Sequence, residues 1–173
     1  MSVLFILTVI TVFLTIFVET VLLILQLKGR KLTQWFGKYA FLIHSIITLA
    51  FWSLSFLFFF LLQFEEHPLF HNELIVKYIG VIVLVCGLVV AIWGFKLLGL
   101  KRSLCLNFFK DDVQVVKSSL YKYIKNPEDI GLWTILIGFA LLTGSIYNLI
   151  IAVEFIVTMI PHERVENMPL KTV

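Results

Sequence analysis

The run SSLYKYIKNPEDIG at residues 118–131 passes directly into LWTILIGFALLTGSIYNLIIAVEFIVTMI at residues 132–160, so polar, chemically capable side chains stand at the edge of a long apolar stretch. As one helix, residues 132–160 would extend about 44 Å at ~1.5 Å per residue, against a hydrocarbon layer of roughly 30 Å. Only strong tilt would accommodate it. The pair Gly144-Ser145 offers a break. Split there, residues 132–143 and 146–160 form a hairpin of two short helices, each somewhat under the usual spanning length. That hairpin returns the tail, with His162, Glu163, Arg164 and Glu166, to the membrane face that carries Lys125, Asn126 and Asp129.

Working outward, the rest of the chain is as apolar as this run. A mean hydropathy of +1.01, with 60% hydrophobic and 14% charged residues, gives more apolar surface than a soluble domain of this size buries. Three further apolar runs, about 2–26, 40–63 and 76–100, are each long enough to span. They are too long for barrel strands, and lipid offers the backbone no partners, so they are helices. The expectation is an all-α, polytopic membrane protein: three transmembrane helices plus a C-terminal helical hairpin, five membrane segments in one domain of residues 1–173. The first segment has no basic n-region and no small-residue cleavage site, and reads as a retained helix.

Charge orients these segments. The loop from Leu27 to Tyr39 carries Lys28, Arg30, Lys31 and Lys38 without an acid, whereas Gln63 to Val76 carries Glu65, Glu66 and Glu73 without a base. The loop of residues 101–131 carries Lys101, Arg102, Lys110, Lys117, Lys122 and Lys125. By the positive-inside rule the first and third loops are cytoplasmic, which puts the N-terminus outside and the tail of residues 161–173 in the cytoplasm. Nothing in the composition points to a nucleic-acid partner, and oligomeric state is not readable.

The run at residues 118–131 resembles S-G-P-Y-x-Y-V-R-H-P-x-Y-x-G, a segment of the isoprenylcysteine carboxyl methyltransferase and phospholipid methyltransferase superfamily of integral-membrane enzymes. Ser118, Tyr121, Tyr123, Pro127 and Gly131 match, and Ile124 and Lys125 are conservative replacements. Asn126 stands where the family has His, and Asp129 where it has Tyr. The tail resembles the family's E-E-x-x-L segment through Glu166 and Leu170, with Asn167 in place of the second Glu. The resemblance covers roughly residues 76–170. It implies S-adenosylmethionine as cofactor, bound at the cytoplasmic boundary, and a lipid or lipid-linked acceptor entering from the bilayer. It also implies a cofactor pocket of Tyr121, Tyr123, Lys125, Asn126, Pro127, Asp129, Gly131, Glu163 and Glu166, with Arg164 and Glu166 in catalytic positions. A non-catalytic relative that binds lipid or a membrane partner is the alternative that the replaced residues suggest.

The same residues have plainer readings. Asn before Pro, Pro in a first helical turn and acids beside the positive helix end are ordinary N-terminal signals. Glu19 lies within about two turns of Lys28 and reads as reaching the interface, while Glu154, deeper in its run, suits a pocket or an interhelical contact. His44 suits an interhelical or interfacial hydrogen bond. His67 and His71 lack further ligands beyond glutamates, and no metal site is expected. Cys86 and Cys105 have neither disulfide nor metal-ligand spacing and are given no role. Gly80, Gly87, Gly94 and Gly99 mark a small-residue face for close helix packing or an acyl chain.

Overall fold

The computed structural model describes residues 2–66, 68–69, 72–99, 103, 105–109, 119–124 and 126–166. Among the described residues six α-helices follow in order: α1 Val3–Leu27, α2 Lys31–Phe36, α3 Ala40–Leu62, α4 Leu74–Leu98, α5 Pro127–Thr143 and α6 Ile146–Glu166. Short 3-10 turns cover Gly37–Tyr39, Leu106–Phe108 and Ser119–Lys122. Among the described residues no strand forms, only an isolated bridge between Leu69 and Ser145.

Among the described residues four stretches are long and apolar enough to cross a membrane: Val3–Leu27, Lys31–Leu62, Leu74–Leu98 and Ile146–Glu166. The protein is therefore an all-helical integral-membrane protein, and its surface agrees. Ile10, Phe13, Phe17, Leu57, Phe60, Ile82, Val89 and Ile92 are exposed, which lipid rather than water accommodates. Pro127–Thr143, at 17 residues, is shorter than these four.

The break expected at Gly144-Ser145 is present. Gly144 ends α5 in the left-handed conformation at φ 63°, its N–H bonding to Ala140 O, a position that favours glycine. Ser145 pairs with Leu69, and the Ile146 N–H bonds to Pro68 O at 3.0 Å. The second arm differs from expectation. It does not stop at residue 160 but continues as helix through Pro161 to Glu166, giving 21 residues and a full spanning length. Proline removes one N–H from the ladder, yet the helix persists past it, so His162, Glu163, Arg164 and Glu166 sit on a helix rather than a loose tail. The first loop is also partly helical, with Leu32 of α2 buried.

The chain divides into two compact units. The first comprises Met1–Glu65, Leu104–Val113 and Glu154–Val173, and the second Glu66–Ser103 and Gln114–Val153.

In the first unit α1 packs on α3. The buried residues of α1 include Phe5, Thr8, Val12, Thr15, Glu19, Leu23 and Gln26, three or four apart along one face. Much of this seam is polar. The hydroxyls of Thr8, Thr11 and Thr15 donate to carbonyls one turn back, at 2.7, 2.8 and 2.7 Å, and Thr15 also meets Ser55 of α3 at 2.8 Å. Near the end of α1, Leu23 joins Cys105, Phe108 and Val165 in an apolar cluster. Gln26 Nε2 donates to Phe108 O and to Thr33, at 3.1 and 2.8 Å.

In the second unit α4 packs on α5 through glycines spaced seven apart on each helix. A Cβ at Gly80 would lie 2.5 Å from Leu142 N, at Gly87 2.6 Å from Ile135 N, and at Gly94 2.7 Å from Glu128 N. From the other side, a Cβ at Gly131 would lie 2.4 Å from Ala91 N and at Gly138 2.4 Å from Leu84 N. These contacts are with backbone, so only glycine permits them. The small-residue face of α4 is thus a helix-packing face. Gly99 does not belong to it: it caps α4 at φ 79° with open space around it.

Candidate functional site

The second unit holds the connector motif. Pro127 opens α5 at its first position and is fully buried, as suits a residue without an N–H to satisfy. Asn126 occupies the N-cap, but its side chain makes no capping bond; its amide instead donates to Asp129 Oδ2 at 3.4 Å. Asp129 is buried in the first turn with Glu128 beside it, where the helix dipole favours negative charge. The Tyr121 hydroxyl donates to Glu128 Oε2 at 2.6 Å and lies 3.5 Å from Gly94 O. It thereby ties the 3-10 turn to the start of α5.

Tyr123 points outward, 80% exposed, with Lys122 Nζ 5.4 Å from its ring centre. It lines no buried pocket, and this is the position a membrane-interface tyrosine takes. Gly131 faces Ala91 across the α4–α5 contact, so its local role is close packing. Asn126, Pro127, Asp129 and Tyr121 are held together by one helix start. Lys125 lies outside the described residues, as do Ser118, Asn167 and Leu170 of the same two motifs, and His67 and His71.

The first unit holds the acidic tail, now part of α6, and a set of polar groups around it. His162 is buried, and its Nδ1 lies 3.0 Å from Thr20 Oγ1 of α1. Its Nε2 lies 3.6 Å from Glu166 Oε1, one turn further along. The buried Cys105 thiol donates to the same Glu166 oxygen at 3.4 Å. Trp52 Nε1 of α3 donates to Glu19 Oε2 at 3.2 Å, and Glu19 and His44 both lie within electrostatic reach of His162. Arg164 is exposed, on another side of the helix from the buried His162.

Several expectations change here. Glu19 does not reach an interface: it is 7% exposed and bonded to Trp52 across the α1–α3 seam, a protein partner where lipid would offer none. His44 makes no hydrogen bond among the described residues; it is 1% exposed and packs its ring 5.3 Å from that of Phe109. Cys105, given no role, holds Glu166. Glu154 is half-buried, and its Oε2 has no hydrogen-bond partner among the described residues.

The polar lining contributed by α1 and α3 was missed, although the signal is in the sequence. Thr8, Thr11, Thr15 and Glu19 recur at three- and four-residue intervals, as do His44, Thr48, Trp52 and Ser55, which places each set on one helical face. Chemically, the first unit offers carboxyl, imidazole and thiol groups in buried or half-buried positions. Glu166 has one oxygen engaged by His162 and Cys105, leaving Oε2 able to accept from an amine or a hydroxyl. Among the described residues no group of three or more His, Cys, Asp or Glu is arranged to hold a metal ion.

The described residues are those of an all-helical integral-membrane protein. Within that class the chain is a member of the phospholipid methyltransferase family, whose model matches residues 76–172, more than half of the sequence. The match includes the connector motif, the hairpin and the acidic end of α6. No curated protein and no solved structure matches the chain.

Proposed function

We propose that the protein is an S-adenosylmethionine-dependent methyltransferase acting on a lipid or lipid-anchored small acceptor at the cytoplasmic membrane face. The observation that carries this reading is the family match over residues 76–172, which takes in both polar motifs at once. On this reading the five helical segments cross the membrane with the N-terminus outside and both motifs inside, as the basic loops favour. Pro127–Thr143 is then a short span, accommodated by local thinning of the bilayer.

The residues present suit the donor. Asp129 of the connector and Glu166 of the tail each offer carboxylate oxygens to amino or ribose hydroxyl groups, with Lys125, Asn126 and Pro127 near the first in sequence and Glu163 near the second. The exposed Arg164 can pair with a carboxylate or orient the acceptor. Bound S-adenosylmethionine supplies an electrophilic methyl group. What the chain itself must do is hold the reacting groups in line and exclude water.

A second reading, a non-catalytic relative that binds lipid or a membrane partner, is favoured by one observation. Asn126 stands where the superfamily segment has His, and its amide is turned onto Asp129 of its own helix. Calorimetric titration of the purified protein with S-adenosylmethionine and S-adenosylhomocysteine separates the two. Micromolar binding of both ligands, weakened by Pro127→Leu and by Glu166→Ala, supports the enzyme; absence of binding supports the non-catalytic relative.

A further inference from the structure

The chain between α1 and α3 is folded into a braced elbow. Gly29 at φ 111° and Arg30 at φ 51° turn it out of α1, and a non-glycine residue keeps such a conformation only where its surroundings impose it. Gln26 of α1 supplies the brace: its Oε1 accepts from the Thr33 N–H at 3.2 Å and its Nε2 donates to Thr33 Oγ1 at 2.8 Å. Leu32 is buried beside them. The elbow lies at a membrane surface. α1, with 25 residues, and Ala40–Leu62, with 23, each cover a hydrocarbon layer of roughly 30 Å by themselves at ~1.5 Å per residue. Residues 28–39 are left at its edge, with a second sharp turn at Gly37, φ 54°.

Two kinds of side chain face outward from this elbow. Lys28, Arg30, Lys31 and Lys38 are exposed, and so are Trp35 at 61%, Phe36 and Tyr39. No acid occurs between Leu27 and Ala40, and among the described residues Lys28, Lys31 and Lys38 pair with none. Lys31 and Trp35 stand four apart on α2 and so share a face of that helix. Lys38 Nζ lies 5.1 Å from the ring centre of Tyr39. Free phosphate or an acidic peptide would satisfy the bases and leave the rings without a use. An anionic lipid satisfies both, because aromatic rings settle at headgroup level and bases settle against its phosphate. We propose that residues 28–39 form a site for the headgroup of an anionic phospholipid, with Lys28, Lys31 and Lys38 on the phosphate and Trp35, Phe36 and Tyr39 against the glycerol and upper acyl chains. The elbow lies outside the matched residues 76–172, so the inference stands independently of the methyltransferase reading.

The test is native mass spectrometry of the full chain in detergent, titrated with dioleoyl phosphatidylglycerol and, separately, with dioleoyl phosphatidylcholine. A base near the surface contributes about fivefold to anionic-lipid affinity, so the wild-type protein should prefer phosphatidylglycerol by about tenfold or more. Replacing Lys28, Lys31 and Lys38 together by Gln should reduce the preference to about twofold or less, whereas replacing the same three by Arg, which keeps the charge, should preserve it. Lys77→Gln, which removes a base from α4, should leave it unchanged. Trp35→Ala should weaken both lipids by a similar factor, since the ring is indifferent to headgroup charge. Millimolar glycerol 3-phosphate should not displace the bound lipid. Equal affinity of the wild-type protein for the two lipids, or a preference that survives the Gln replacements, overturns the proposal. So does loss of the preference in the Arg variant, which would mean that the lysines act through the fold, and so does displacement by glycerol 3-phosphate, which would make the ligand a free phosphate.

Discussion

Trp52 of α3 donates its indole N–H to the Glu19 carboxylate of α1 across 3.2 Å, a bond between two neighbouring helices of the first unit. A hydrogen bond contributes about 0.5–1.5 kcal/mol net in water-soluble proteins, and interhelical ones in membranes average nearer 0.6 kcal/mol. Trp52→Phe keeps most of the aromatic bulk and leaves the carboxylate without this donor. It should lower stability by about 1 kcal/mol, measured by denaturant unfolding in detergent. Glu19→Gln, which retains a hydrogen-bond acceptor, should cost less than Trp52→Phe.

The α4–α5 contact makes a sharper demand. A methyl group at Gly131 would sit 2.4 Å from the backbone nitrogen of Ala91, and backbone cannot rotate away as a side chain can. Gly131→Ala should destabilise by about 1–3 kcal/mol, the range for overpacking. Ile82→Ala, on the exposed side of α4, should stay within about 0.5 kcal/mol of wild type in the same denaturation experiment. Equal effects of the two substitutions would contradict the packing described.

Tyr121 tests how the connector is held. Its hydroxyl bonds to Glu128 at 2.6 Å, and the amides of Tyr123 and Ile124 both bond back to Leu120 O. Tyr121→Phe should speed hydrogen exchange at those two amides several-fold while leaving the middle of α4 unchanged, since the loss is local. If the turn is instead held elsewhere, exchange there will not change.

The two thiols give an independent check on burial. Cys86 is exposed on α4 and Cys105 is buried. In the native protein a membrane-permeant maleimide should modify Cys86 and spare Cys105, as read by intact mass. Glu166→Ala, which removes one acceptor of the Cys105 thiol and opens space beside it, should raise the reactivity of Cys105 without unfolding the chain.

Much of this was legible in the sequence, and the reasons are physical. Seven-residue spacing of Gly80, Gly87 and Gly94 places them on one helical face, and that face is where α5 lies. Gly144 ends α5 because no side chain adopts φ 63° as easily, and a flexible residue in an apolar run is conspicuous. The extension of α6 through Pro161 was not legible: proline ordinarily signals an end, and only the burial of His162 and Val165 shows that the helix continues. Glu19 and His44 were misjudged because each was weighed alone, as an isolated charge or ring in lipid. Their meaning lies in the helical face they share with Thr15, Thr48 and Ser55, which no single residue reveals.

The first unit also has an order of assembly written into it. Thr8, Thr11, Thr15 and Thr20 of α1 all bond to carbonyls of their own helix, so their hydroxyls are satisfied before any neighbour arrives. In α3 the indole of Trp52 and the hydroxyl of Ser55 find their partners on α1. Released into the bilayer during synthesis, α1 can wait there alone at little cost from its hydroxyls, whereas α3 becomes comfortable only beside it. Of this pair, the helix made earlier is thus the template on which the later one settles.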